Sequence, residues 1–364
     1  MNRPRARDAG VRFGDVPTGP RNTITDVKGV KVGHCTLTKG DGKLVPGEGP
    51  VRTGVTVILP HGDDIYRRPV KGTYFALNGC GGLMGALQVE EFGVIDSPIG
   101  LTNTMGMASV AEGLVKYTLE RNPLAGIEHD TVIPVVSECD DAHLNDARGL
   151  HVRPEHVFEA IAAAGDDVSE GAVGAGTGMV CYDFKGGIGT SSRLVEVQGE
   201  KYTVGIIVLS NHGERKELII DGVPVGKLLN SVEDPHRKEN GSIVTVIATD
   251  APLDARQLRR IAKRAGMGLA LTGSCASNGS GDIMIAFSTA NVHDRYQKER
   301  FVLTHHLLVD NEMSALFRAT VDCTAEAIIN SLFKGETVKG RDDNIVPGLP
   351  IDETLQLLKA RGCL

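Results

Sequence analysis

Asn230-Ser231-Val232-Glu233-Asp234-Pro235-His236-Arg237-Lys238-Glu239-Asn240-Gly241-Ser242-Ile243-Val244-Thr245-Val246-Ile247-Ala248-Thr249 changes character at one point. Up to Asn240 it is polar and mixed in charge, and from Ile243 it is apolar and rich in β-branched residues. A hydrated linker therefore meets a run that reads as a buried strand, with one small residue and one hydroxyl at the junction. A cut between Gly241 and Ser242 would start a new chain with a serine on a core strand. The hydroxyl and the new α-amine would then belong to one residue. An α-amine, with a reference pKa of about 7.7–8.0, can act as general base for that hydroxyl at neutral pH. The same dipeptide also fits an ordinary turn ahead of a strand.

Composition narrows the remaining choices. At 364 residues the chain has room for one large domain or two. Its 41% hydrophobic fraction supports a sizeable core, and 45 glycines with no tryptophan mean that the core is closely packed from small and aliphatic side chains. A net charge of −7 without a run of Lys and Arg argues against a nucleic-acid surface. The segment Arg3-Pro4-Arg5-Ala6-Arg7 is basic, but no apolar stretch follows it, which speaks against a secretory signal. No window has the apolar length of a membrane span. The seven cysteines, Cys35, Cys80, Cys139, Cys181, Cys275, Cys323 and Cys363, are scattered and form no C-x-x-C pair. Reduced, mostly buried thiols in a cytoplasmic protein are the expectation.

Along the chain, residues 1–22 read as an irregular arm, and 30–37 and 54–59 as short strands. Helical spacing covers 107–119, a strand 131–136, and a helix with proline in its first turn 154–164. Runs at 194–197 and 202–209 flank a Gly-Glu turn and should pair as a hairpin. Beyond the linker come a strand at 243–249, a helix at 254–266, strands at 283–287 and 300–309, and a long helix at 311–333. That last helix carries Ala315, Phe317, Val321, Ala325, Ile328, Ile329 and Leu332 on one face. Paired strands with interspersed helices point to helices on layered sheets, not to a doubly wound parallel fold.

Several motifs compete for chemistry. Gly171-Ala172-Val173-Gly174-Ala175-Gly176-Thr177-Gly178 resembles a dinucleotide loop but lacks a clear strand before it and a helix after it; a tight backbone crossing fits better. His61-Gly62-Asp63-Asp64 has metal-binding residue types without a second ligand pair, and the rings of His305 and His306 should point to opposite faces of a strand. Ser280-Gly281-Asp282 is more informative. In extended geometry Ser280 and Asp282 face the same side, so the pair can hold an ammonium or orient another serine's hydroxyl; a plain turn also fits. Asn211, at the end of an apolar strand, suits a neutral oxyanion donor or a strand-end turn. Glu138 follows the strand read at 131–136 and begins an acidic cluster with Asp140 and Asp141. It can bind a substrate's amine or sit in a solvated loop.

Together these segments resemble the family of L-aminopeptidase/D-esterases and β-peptidyl aminopeptidases, self-processing serine hydrolases with an N-terminal nucleophile. The likeness is carried by Asn22-Thr23-Ile24-Thr25-Asp26-Val27, Val32-Gly33-His34, Glu91-Phe92-Gly93 and Leu101-Thr102-Asn103-Thr104. It continues through Gly171–Gly178, Phe184-Lys185-Gly186-Gly187-Ile188-Gly189-Thr190-Ser191-Ser192, Asn211-His212-Gly213, Gly241-Ser242 and Ser280-Gly281-Asp282. The resemblance implies an α+β fold built as a four-layer αββα sandwich. It also implies one peptidase domain, 1–364, cut into 1–241 and 242–364 and assembled as a homo-oligomer of the processed pairs. By the same resemblance Ser242 is the nucleophile, Ser280 and Asp282 orient its amine, Asn211 holds the oxyanion, and Glu138 receives the substrate's free amine. Some relatives carry an aromatic hydroxyl two places after that glutamate, where this chain has Asp140, so the second oxyanion donor is open. The implied substrates are short peptides and aminoacyl amides or esters, with no cofactor and no metal. Two rivals remain: an acyltransferase of the ornithine-acetyltransferase type, which uses threonine after its cut, and an uncleaved binding protein without catalysis.

Overall fold

The structure is a computed structural model that describes residues 3–231, 241–297 and 302–364. From residue 232 to 240 the linker lies outside the described residues, as do Arg300 and Phe301 of the run read at 300–309.

After the arm, β1 (Lys31–Lys39) and β2 (Val51–Leu59) pair as an antiparallel hairpin. β3 (Val70–Gly79) belongs to a second sheet and is followed by β4 (Leu83–Met84), helix α1 (Ala86–Phe92) and β5 (Val94–Ile95). β6 (Ile99–Asn103), α2 (Met107–Arg121) and β7 (Val135–Cys139) form a parallel strand–helix–strand unit. Helix α3 (Glu155–Ala162) packs on β1 and β2. A small hairpin, β8 (Val180–Cys181) and β9 (Phe184–Lys185), leads into a long one, β10 (Gly187–Val197) and β11 (Glu200–Asn211). Past the short α4 (Val225–Leu228), a second parallel unit comprises β12 (Ser242–Thr249), α5 (Ala255–Leu271) and β13 (Gly281–Ser288). α6 (Ser314–Lys334), the pair β14 (Val338–Lys339) and β15 (Ile345–Val346), and α7 (Ile351–Ala360) complete the chain.

The strand orders are β1-β2-β6-β7-β4 and β10-β11-β12-β13-β3-β5. The two sheets share a core of Ile58, Leu101, Val135, Leu209, Val244, Val246 and Ile285. Helices α2 and α3 cover the first sheet through Val55, Val57, Val110, Leu114 and Val157, and α5 and α6 cover the second through Val208, Ile247, Ala265, Met284 and Ile328. The result is an α+β, four-layer αββα sandwich. It explains why 243–249 reads as an unbroken apolar run. Ile243 and Ile247 point to the helices, Val244 and Val246 point to the other sheet, and neither face meets water.

Glycine sets how close the layers come. A side chain on Gly33 of β1 would lie 1.9 Å from the Ala160 carbonyl oxygen of α3, and one on Gly189 of β10 would lie 1.9 Å from that of Ala327 in α6. Helix α5 is fixed at its start by a reciprocal cap: Gln257 N–H donates to Asp254 Oδ1 (2.7 Å), and Asp254 N–H donates to Gln257 Oε1 (3.2 Å).

The differences from the sequence reading have physical causes. The strand expected at 131–136 is β7 at Val135–Cys139, because Pro134 has no N–H for the ladder. The hairpin turn is Gln198-Gly199, with φ of 54° and 86°, one residue ahead of the expected Gly-Glu. Within the run read at 300–309, residues 302–309 form no strand; apolar composition without a partner strand leaves Val302, Leu303, Leu307 and Val309 exposed. The long helix is buried on most sides from Ala319 onward, so the single apolar face is an incomplete description, and Ala315 is exposed.

The basic arm is an internal fastening. Arg3 donates to the carbonyls of Phe333 and Leu349, and Arg5 pairs with Glu170 at 2.8 Å. Arg7 Nη2 (2.7 Å) and the fully buried Arg193 (2.6 Å) share Glu326. One carboxylate on α6 thus ties the arm to β10.

Candidate active site

Three strand ends meet at Ser242. As the first residue of β12 it lies opposite Asn211, the last residue of β11, and beside Gly281, the first residue of β13. The Gly281 N–H faces two oxygens, Ser242 Oγ at 3.2 Å and the Gly241 carbonyl at 3.3 Å. Gly241 itself has no space for a side chain, because a Cβ would lie 2.5 Å from the Asn211 carbonyl oxygen and 2.7 Å from His212 Cα. The peptide bond between Gly241 and Ser242 is therefore held by backbone on both sides.

The Asn211 amide is oriented at both ends. Its Oδ1 accepts from Val180 N–H at 2.8 Å, and its Nδ2 donates to the Asp140 carbonyl at 2.9 Å. One Nδ2 hydrogen stays uncommitted among the described residues, as an oxyanion donor requires.

Ser280 and Asp282 interact as the period of a strand predicts, with Ser280 Oγ donating to Asp282 Oδ1 at 2.8 Å. Asp282 is fully buried, and among the described residues its Oδ2 has no donor. Burial pushes the carboxyl up to about 6, with the Ser280 hydrogen bond pulling the other way. Among the described residues neither side chain bonds to Ser242 directly; Gly281, between them, makes that contact. An orphaned carboxylate oxygen in a dry site is costly until a donor or a cation reaches it.

Glu138 comes from the opposite sheet. It lies within β7, paired with Thr102, and not in a loop after a strand. Its Oε1 accepts from Gly82 N–H at 2.7 Å and its Oε2 from the Thr104 hydroxyl. Gly81 spans the gap between the sheets: a Cβ there would lie 3.2 Å from Gly281 Cα and 3.4 Å from Glu138 Oε1. The acidic cluster divides by environment. Asp140 is exposed and caps its own turn through Ala142 N–H at 2.8 Å, while Asp141 is buried, bonded to Asn145, and pushed by burial to about 7. The Asp140 side chain accepts hydrogen bonds and supplies no aromatic hydroxyl to an oxyanion.

Among the described residues no imidazole hydrogen-bonds to Ser242. Burial pushes His212, next to Asn211, down to about 3, and its ring packs edge-on to Tyr182 at 5.0 Å. His61 Nε2 bonds to the Arg68 carbonyl at 2.8 Å in a surface turn. His305 stacks on His293 at 5.2 Å and nearly parallel, so their in-plane lone pairs do not converge. Among the described residues no three His, Cys, Asp or Glu side chains gather as metal ligands, and no helix is long and apolar enough to cross a membrane. The Gly171–Gly178 loop is a backbone crossing: a Cβ on Gly176 would lie 2.6 Å from Ile188 N and 2.7 Å from the Gly171 carbonyl oxygen, which leaves no cradle for a phosphate.

Residues 22–346 match peptidase family S58. The chain is 41% identical to the β-peptidyl aminopeptidase BapA of Sphingosinicella microcystinivorans, over 98% of this chain and 92% of that protein. The chain belongs to peptidase family S58. Among solved structures, a protein from Pyrococcus horikoshii OT3 matches at 52% identity with a TM-score of 0.95, covering 99% of this chain and 100% of that one. The L-aminopeptidase D-Ala-esterase/amidase of Ochrobactrum anthropi, described as a prototype of the serine aminopeptidases and a variant of the Ntn hydrolase fold, matches at 37% identity with a TM-score of 0.92 over 99% of both chains.

As an S58 peptidase the protein is a serine aminopeptidase, and neither the acyltransferase nor the non-catalytic alternative is favoured. The sequence reading assigned no role to Gly81, Gly82, Thr104 or Val180. Thr104 and Val180 lie in or beside a quoted motif and Gly81 and Gly82 do not, and the partners are remote in the chain: Gly82 and Thr104 reach Glu138 across 56 and 34 residues.

Asp282 yields a pH prediction for the intact chain, checked in a Ser242→Ala background. A carboxyl raised from 3.8 to about 6 binds its proton more tightly when folded. Its stabilising contribution is therefore fully present below about 3.8 and is lost as pH rises through about 6. Urea midpoints should show the parent losing stability relative to its Asp282→Asn derivative between pH 5 and 7. A constant difference over that range would contradict the assignment.

Proposed function

We propose that the protein cuts itself between Gly241 and Ser242 and then removes N-terminal residues with a nucleophile and a base that belong to the same residue. The observation that carries this reading is the place of Ser242: first in a buried strand, between Asn211 and Gly281.

In self-cleavage Ser242 Oγ adds to the Gly241 carbonyl carbon while the Gly281 N–H supports the carbonyl oxygen. The Gly241–Ser242 C–N bond breaks as its nitrogen gains a proton. Water then hydrolyses the ester, leaving a carboxylate on Gly241 and an amine on Ser242. In turnover the substrate's free amine sits at Glu138, whose carboxylate is already held by Gly82 and Thr104. Ser242 Oγ attacks the carbonyl after the first residue, and the Ser242 amine takes the proton and passes it to the leaving amine. The uncommitted N–H of Asn211 supports the oxyanion, and Ser280 with Asp282 orients the Ser242 amine. Water releases the acyl group.

Similarity to a β-peptidyl aminopeptidase and to an L-aminopeptidase brings both α- and β-amino acid amides, esters and short peptides into the substrate class. The working form is a homo-oligomer of processed 1–241 and 242–364 pairs. All seven cysteines are unpaired, which supports a reducing, cytoplasmic setting.

Denaturing mass measurement of the purified protein should give two fragments, 1–241 and 242–364, and Ser242→Ala should stay whole. An intact wild-type chain that hydrolyses aminoacyl amides would sink the mechanism.

Amino-acid p-nitroanilides should be hydrolysed and their N-acetyl forms should not. Glu138→Gln should lower kcat/KM about 10–100-fold, the worth of one charge-assisted hydrogen bond. Equal rates on free and acetylated substrates would remove Glu138 from the site.

A further inference from the structure

Lys185 is a charged side chain with an environment that stability alone does not explain. It is fully buried at the end of β9, and among the described residues no carboxylate pairs with it. Its ammonium donates to three backbone carbonyls, Gly176 at 2.8 Å, Met179 at 2.7 Å and Gly186 at 2.7 Å. A dry ammonium without a counter-charge is costly, and burial pushes this one down to about 7. An apolar chain of similar length would avoid that cost.

What the ammonium holds leads to the active site. Gly176 and Met179 end the glycine-rich crossing, and Val180 follows Met179 directly. The Val180 N–H is the donor that binds Asn211 Oδ1 at 2.8 Å. Two residues on, Tyr182 N–H donates to the His212 carbonyl at 2.7 Å, so the β8–β9 hairpin is attached to the end of β11 at two adjacent residues. Its turn, Tyr182-Asp183, has φ of 51° and 60°, a tight geometry that leaves little slack between Val180 and Lys185. If the hairpin shifted, Asn211 Oδ1 would lose its donor and the amide could turn over. A carbonyl oxygen would then face the developing oxyanion in place of an N–H.

We infer that Lys185 is a positioning residue for the reaction: by fixing the Gly176 and Met179 carbonyls it sets Val180 N–H against Asn211 Oδ1 and so aims the Asn211 N–H at the substrate's oxyanion. Lys185 touches neither substrate nor nucleophile. The inference rests on the proposed role of Asn211 as oxyanion donor, and its test separates the two.

The test is a double-mutant cycle on an amino-acid p-nitroanilide, with rates expressed per cut chain as counted by denaturing mass. Slowly cut variants are incubated until the cut fraction can be measured. Asn211→Ala should lower kcat about 10²–10³-fold, the usual cost of losing one oxyanion donor. Lys185→Met, which keeps the length and removes the donors, should lower kcat about 10–100-fold with KM within about threefold, since it misaligns that donor without removing it. The double variant should be no slower than Asn211→Ala alone, because Lys185 acts only through Asn211. Lys185→Gln, which retains two donor hydrogens, should fall between wild type and Lys185→Met; if Lys185→Met does not fold, the cycle is run with Lys185→Gln.

Multiplicative losses in the double variant, or an unchanged kcat in a folded, cut Lys185 variant, would overturn the role of Lys185 while leaving Asn211 in place. An unchanged kcat in Asn211→Ala would instead remove the oxyanion assignment, and the Lys185 inference with it.

Discussion

Two strand pairings converge on one residue. β12 runs antiparallel to β11 and parallel to β13, and its first position brings Asn211 and Gly281 to either side of Ser242. Backbone hydrogen bonding fixes that arrangement, so the site depends on register before it depends on any side chain. A one-residue slip of β12 would turn Ser242 to the opposite face and place Ile243 between the same neighbours. Burial on both faces of β12 makes such a slip expensive, because Val244 and Val246 would leave the inter-sheet core.

The fold spends stability on polar groups around this junction. Among the described residues, Asp282 keeps an oxygen without a donor, Lys185 keeps an ammonium without a counter-charge, and Asp141 is a buried carboxyl pushed to about 7. The Arg7–Glu326–Arg193 group in the arm is different, since there each charge faces an opposite one at 2.6–2.7 Å. Asp282, next to the Gly281 that contacts Ser242, is thus left unbalanced, while Glu326 is paired at both carboxylate oxygens. That division is expected where a site must receive a new charge, here the amine proposed to form at Ser242.

Some of this was legible in the sequence. The junction at Gly241-Ser242 was visible because composition changes there over three residues, and Ser280 with Asp282 because a strand's period of two puts both on one side. The resemblance names Glu138 for the substrate's amine, and the sequence places it after a strand when it lies within one; Pro134 shifts the start of β7. The holders of the site were hidden for one reason. Gly82, Val180 and Lys185 act through backbone groups, and no residue pattern marks which carbonyl or amide a remote side chain will meet. The apolar run at 302–309 shows the opposite limit, since strand-like composition without a neighbouring edge to pair with stays irregular. Asp140 brings no aromatic hydroxyl, and the group that faces the Gly241 carbonyl is the backbone N–H of Gly281, at 3.3 Å.

The central claim is that Ser242 performs the covalent chemistry while Ser280 and Asp282 support it. Labelling the cut protein with a serine-directed sulfonyl fluoride, followed by peptide mapping, tests this most directly. The adduct should lie on Ser242, at the start of the 242–364 fragment, and should form in a cut Ser280→Ala protein as well. An adduct on Ser280, or labelling that vanishes with Ser280→Ala in cut protein, would contradict the account.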